Sequence, residues 1–226
     1  MTRKICFILI ILIAGALAAL AWYWGQKEFS PINNPVRNSE IIPTAISVAP
    51  SPLVTPAELS GLVSPLDRPA SRASKKKFGQ YITPADSPIQ PERFRGYHTG
   101  VDFEIFPEEL NEDVAIKAIC SGKLERKETV SGYGGVAVQS CTIDGEPVTV
   151  LYGHLQLASI SKNVGDSLVA GESLAILGAD KSAATDGERK HLHLGISRGD
   201  EINVRGYVSD PAELSRWLDP CEYVCR

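Results

Sequence analysis

No stretch of this chain reads H-E-x-x-H, which excludes the helix-borne zinc site that this signature builds. No two cysteines are spaced C-x-x-C, so the doublets of a structural zinc site are missing as well. There is no basic excess: 23 Lys and Arg stand against 27 Asp and Glu, for a formal charge of -4. Nucleic acid would call for a positive face or stripe, so composition argues against that partner. The cluster Lys75-Lys76-Lys77 reads as a solvated junction. Histidine is scarce, with 4 in 226 residues, and none falls in the long polar, proline-rich stretch where surface histidines would scatter.

What is present begins with ICFILIILIAGALAALAWYW, residues 5–24, which carries no charge and follows Arg3 and Lys4. Twenty helical residues span about 30 Å, the thickness of bilayer hydrocarbon. The flanking cations and the Trp22-Tyr23-Trp24 cluster suit an anchor with its N-terminus inside and an aromatic belt outside. The competing reading of residues 1–24 is a cleaved signal segment, since Ala16-Leu17-Ala18 and Ala19-Leu20-Ala21 resemble cleavage sites. Either reading sends the rest of the chain out of the cytoplasm, membrane-held in one case and secreted in the other. Residues 25–76 hold eight prolines among Ser, Ala and Thr and show no helical or strand period, as expected of a tether.

From residue 77 to 226 the pattern changes to short runs rich in valine and isoleucine. VAIKAIC (114–120), GKLERKETV (122–130), GVAVQSC (135–141), PVTVLYG (147–153), ESLAILG (172–178) and HLHLGIS (191–197) read as strands. Asp-Gly at 144–145 and 186–187 and the SGYGG run at 131–135 supply hairpin-type connections. One helix start stands out, with Asp210 as cap, Pro211 at the first position and Glu213 behind it. The expectation is a mainly β, antiparallel, sandwich-like domain. Cys120 and Cys141 end two strand-like runs that could be sheet neighbours, and a bridge there would be worth about 3 kcal/mol. Cys221 and Cys225 could close a small terminal loop, and an exported location favours both disulfides.

All four histidines lie in this domain. His98 precedes Asp102 by four residues between Gly96 and Gly100, and His154 follows a strand and one glycine. His191 and His193 flank Leu192, so on a strand both rings share one face. Zinc enzymes keep three protein ligands, commonly His and carboxylate, and leave a position for water. Two histidines and one aspartate could supply that set, leaving two imidazoles for proton transfer near neutral pH.

The succession HTGVD, YGHL and HLH resembles the lysostaphin-type or LytM-type zinc endopeptidases, the glycyl-glycine endopeptidase family with its duplicated hybrid motif fold. The resemblance runs from about Phe78 to Tyr223 and takes in FGQY, SGYGG, Val164-Gly165, Ala170-Gly171-Glu172 and Leu218-Asp219-Pro220. It implies one Zn2+ per chain held by His98, Asp102 and His193, with His154 and His191 as catalytic residues that do not bind metal. It implies hydrolysis of peptide bonds in the stems or cross-bridges of bacterial peptidoglycan. Alternatives are a wall-binding or hydrolase-activating domain without activity, and a peptidase for secreted proteins. The polar loop 179–190 would form one wall of the substrate groove or be an ordinary exposed loop.

Overall fold

Strands whose valines and isoleucines recur at every second position must each bury one face. The computed structural model of the chain describes residues 61–226. The apolar run 5–24 and the linker as far as residue 60 lie outside the described residues. No helix among the described residues is long and apolar enough to cross a membrane.

The strands in chain order are β1 (Tyr81–Ile82), β2 (Gly96–His98), β3 (Gly100–Glu104), β4 (Ala115–Lys117), β5 (Gly122–Val130) and β6 (Gly134–Ile143). They continue with β7 (Glu146–Gly153), β8 (Ser167–Leu168), β9 (Ser173–Ile176), β10 (His191–Arg198), β11 (Tyr207–Val208) and β12 (Trp217–Leu218). The main sheet runs β12-β10-β7-β6-β5-β8, and β3 joins the edge of β10 that β12 also uses. A smaller sheet runs β1-β2-β11, and β4 pairs with β9. Every pairing is antiparallel, as the sequence leads one to expect. Two short helices, α1 (Pro69–Arg72) and α2 (Pro220–Val224), lie at the ends of this region.

The turn chemistry holds at one Asp-Gly and fails at the other. Asp144 and Gly145 both take left-handed φ, 53° and 84°, and close the tight β6–β7 hairpin. Asp186 and Gly187 are left-handed too but join no strands. The Asp186 carboxylate instead accepts from the Gly132 N–H and from Arg93, tying one loop to two others. The 114–120 run shortens to β4, because beyond Lys117 the backbone bonds to irregular segments: Ala118 N–H donates to Glu172 O and Val63 N–H to Ile119 O. Asp210 caps as expected by accepting from Ala212 N–H, but the turn it starts, Pro211–Arg216, is 3-10 and ends where Trp217 pairs with β10. Both disulfides form, Cys120–Cys141 and Cys221–Cys225, with Cα separations of 6.1 and 4.6 Å.

The core lies on one face of the main sheet. Val101 and Phe103 of β3, Val150 and Tyr152 of β7, and Leu192, Leu194 and Ile196 of β10 point into it, where they meet Ile116 of β4 and Leu174 of β9. The intervening residues of the same strands point the other way.

Residues from 62 to 76 pack on the domain: Leu66 is buried and Lys117 N–H donates to Pro65 O. Arg72 is fully enclosed, its guanidinium bridging Glu109, Asp67 and the Glu104 carbonyl while lying over the Phe106 ring. Composition hides this, since one charged residue with its partners in place, rather than an apolar stripe, docks the segment. Lys76 is likewise buried rather than solvated, because Glu92 supplies its counter-ion and Tyr207 Oη accepts from its Nζ at 3.1 Å.

Candidate metal centre and its cleft

Register brings the scattered residues together. In the antiparallel ladder His193 of β10 sits opposite Asp102 of β3, and Tyr207 of β11 sits opposite His98 of β2. Opposed residues in such a ladder bring their Cβ atoms within about 4.5–5.5 Å. Gly100 lets the strands close up, because a Cβ there would lie 2.3 Å from the Leu194 carbonyl and 2.7 Å from His193 Nε2. His154 follows β7 in a left-handed turn, φ 63°, which is uncommon for a residue with a side chain. Its ring is thereby set against that of His191, with centroids 4.1 Å apart.

His98, Asp102 and His193 form a buried trio. His98 Nε2 lies 3.1 Å from His193 Nδ1 and 3.3 Å from Asp102 Oδ1, and His193 Nδ1 lies 3.1 Å from the same oxygen. Ligands about 2.0–2.1 Å from a tetrahedral zinc are spaced by roughly 3.3 Å, so this donor set fits such an ion. The remaining ring nitrogens are also engaged. With the inner nitrogens left as acceptors, His98 Nδ1–H donates to the Lys77 carbonyl and His193 Nε2–H to Tyr133 Oη, both at 3.3 Å. Metal-binding histidines are oriented in this manner by their outer partners. Asp102 is held from behind as well, its N–H donating to Lys76 O.

Residues 96–204 match Peptidase family M23, just under half of the chain. The matched segment is an M23 domain. The LytM-type resemblance therefore stands. Among solved structures, LytU is 24% identical over 66% of this chain and 84% of that one, with a TM-score of 0.43. Csd3 from Helicobacter pylori is 18% identical over 74% of this chain, TM-score 0.44, and the chain spans 35% of its length. The SpoIIQ–SpoIIIAH pore-forming complex contributes a chain 15% identical over 74% of this one and 92% of its own, TM-score 0.46. No curated protein matches the chain.

The M23 domain opens the trio into a cleft of about 310 Å³, lined by His154, His191, Tyr133, Phe94, Val204 and Tyr207 with Lys76, Glu188, Arg189 and Arg205. Loop 179–190 thus provides part of the wall through Glu188 and Arg189. His191 Nδ1–H donates to the Arg189 carbonyl at 2.8 Å, so Nε2 turns inward, 3.3 Å from Asp102 Oδ2. His154 Nδ1 is buried without a hydrogen-bond partner among the described residues.

The electrostatics follow from enclosure. Burial works to raise the Asp102 pKa, but the adjacent His191 and His98 outweigh it and hold the carboxyl well below the usual range. Burial lowers the His193 ring to about 4, and burial with the neighbouring His191 charge takes His154 well below an ordinary imidazole. Burial and the Asp102 charge push the Tyr133 phenol up, so it stays protonated. Four lining residues carry no signal of their own in the sequence. Tyr133 sits inside a turn motif, Lys76 in a charge cluster, Arg189 in a polar loop, and Tyr207 in a segment without period.

Proposed function

We propose that this domain is a zinc-dependent endopeptidase that cuts the peptide part of bacterial peptidoglycan. One observation carries the reading: three donors at tetrahedral spacing share a cleft with two imidazoles that do not belong to the trio. His98, Asp102 and His193 would hold the ion. When bound, zinc supplies Lewis-acid polarisation of the scissile carbonyl and acidifies water. His191, whose Nδ1–H is committed to the Arg189 carbonyl, keeps Nε2 for a proton moved at the reacting centre. His154, with Nδ1 unpaired, is placed to donate to the developing oxyanion or to the leaving amine. Phe94, Tyr207 and Val204 provide apolar walls that exclude water from the substrate backbone.

The site's location suits an external target. Residues 5–24 would hold the chain in the cytoplasmic membrane as a single pass with the M23 domain outside, or release it if that segment is cleaved. Two disulfides suit an oxidising compartment. Mass analysis of fragments released from defined peptidoglycans, with and without a chelator, tests the reading. New peptide termini that vanish with chelator and return with zinc are expected. Binding to wall without cleavage would replace it with a wall-binding or activator role, and cleavage of casein but not wall with a peptidase for secreted proteins.

A further inference from the structure

Among the charged side chains of the cleft wall, Arg189 reaches the trio directly. Its side chain is 12% exposed and spans two carboxylates of one strand. Nη2 donates to Asp102 Oδ2 at 2.9 Å, Nε donates to Glu104 Oε2 at 2.9 Å, and Nη2 is shared with Glu104 Oε1. Asp102 and Glu104 are two residues apart on β3 and so share a face, and in the ladder Glu104 sits opposite His191. A guanidinium keeps its charge throughout the working pH range.

The two oxygens of Asp102 therefore have different surroundings. Oδ1 faces His98 Nε2 and His193 Nδ1, while Oδ2 accepts from the guanidinium at 2.9 Å and lies 3.3 Å from His191 Nε2. A carboxylate with both oxygens loose could swing to offer two ligand atoms, which would fill coordination space that a hydrolytic site needs open. We infer that Arg189, clamped by Glu104, is a positioning residue that commits Asp102 to the metal through Oδ1 alone. The inference rests on the metal reading of the trio and goes beyond it by assigning the Arg189–Glu104 pair. A planar fork suits this task because it holds both acceptors in one plane, whereas lysine offers a point charge. The Glu104 charge, which also meets Lys75 Nζ at 3.4 Å, offsets part of that of the guanidinium toward a cation beside Asp102.

Zinc affinity measured by chelator competition, with the visible spectrum of the cobalt-loaded full chain, tests it on wild type, Arg189→Gln, Arg189→Lys and Glu104→Gln. Arg189→Gln is expected to lose roughly 10- to 100-fold in zinc affinity and to shift the cobalt bands. Arg189→Lys recovers part of that loss, and Glu104→Gln shifts the bands in the same direction by less. Affinities all within about threefold of wild type, with one unchanged cobalt spectrum, would reduce Arg189 to a structural ion pair and overturn the proposal. Should Arg189→Gln fail to fold, Arg189→Lys and Glu104→Gln carry the same two readouts. If wild type itself does not take up one zinc, the metal reading is what fails, and the two failures are told apart.

Discussion

The two faces of the main sheet at β3, β7 and β10 make the sharpest contrast in this molecule. On one face Val101, Phe103, Val150, Tyr152, Leu192, Leu194 and Ile196 are buried in a common apolar core. On the other, only one residue away along β3 and β10, Asp102, His191 and His193 are just as buried but surrounded by polar partners. Burial is the same and its consequence is opposite. Desolvation on the first face stabilises the fold. On the second it costs free energy and drives the His193 pKa down. A second apolar cluster of Val136, Val138 and Leu151 packs with Tyr133.

Breaking the polar face should cost function before stability. His98→Ala removes one of three donors, and zinc content is expected to fall from one per chain to near zero with wall hydrolysis at background. Retention of stoichiometric zinc in that variant would remove His98 from the ligand set. His191→Ala should keep its zinc and lose roughly 10²- to 10⁴-fold in hydrolysis, the usual contribution of a general acid or base. Breaking the apolar face should reverse the order. Leu194→Ala empties a fully buried site and is expected to cost about 2–5 kcal/mol in denaturant unfolding while one zinc per chain still binds well below the melting temperature. Zinc loss in Leu194→Ala under folded conditions would mean that the two faces are not separable.

The smallest effect concerns pH. In metal-free protein His193 titrates near 4 when folded against 6.5 when unfolded, because burial penalises its charged form. Between those values the unfolded chain binds more protons, so stability is full above about 6.5 and falls as pH drops towards 4. His154, lowered by the same burial, adds in the same direction. Urea midpoints of chelated protein should decline through that window, and a flat profile would contradict the buried neutral state of these rings.

Much of the site is legible in the sequence because its residues sit in short, local patterns. H-L-H announces two rings on one strand face, and H-T-G-V-D places a histidine and an aspartate either side of a glycine that tolerates close approach. Strand content follows from period, and the two disulfides are pairings that position permitted and the structure formed. Arg189 and Tyr133 are not legible, because their roles depend on partners 87 and 60 residues away, respectively. The docking of residues 62–76 is hidden for a related reason: a proline-rich composition describes how the segment behaves alone, and Arg72 changes that only when Glu109 and Asp67 are in reach.

By itself the sequence determined which side chains face together along each strand, since the alternation of a pleated backbone is a local property of two residues. It also determined that histidine and carboxylate, not cysteine, would be the donors on offer. Only the tertiary structure decided that β2, β3 and β10 register so that three donors meet within hydrogen-bond distance, and that a half-buried guanidinium takes the spare oxygen of one of them. Register and partner choice between distant segments depend on the whole packed core, and no window of sequence contains that sum.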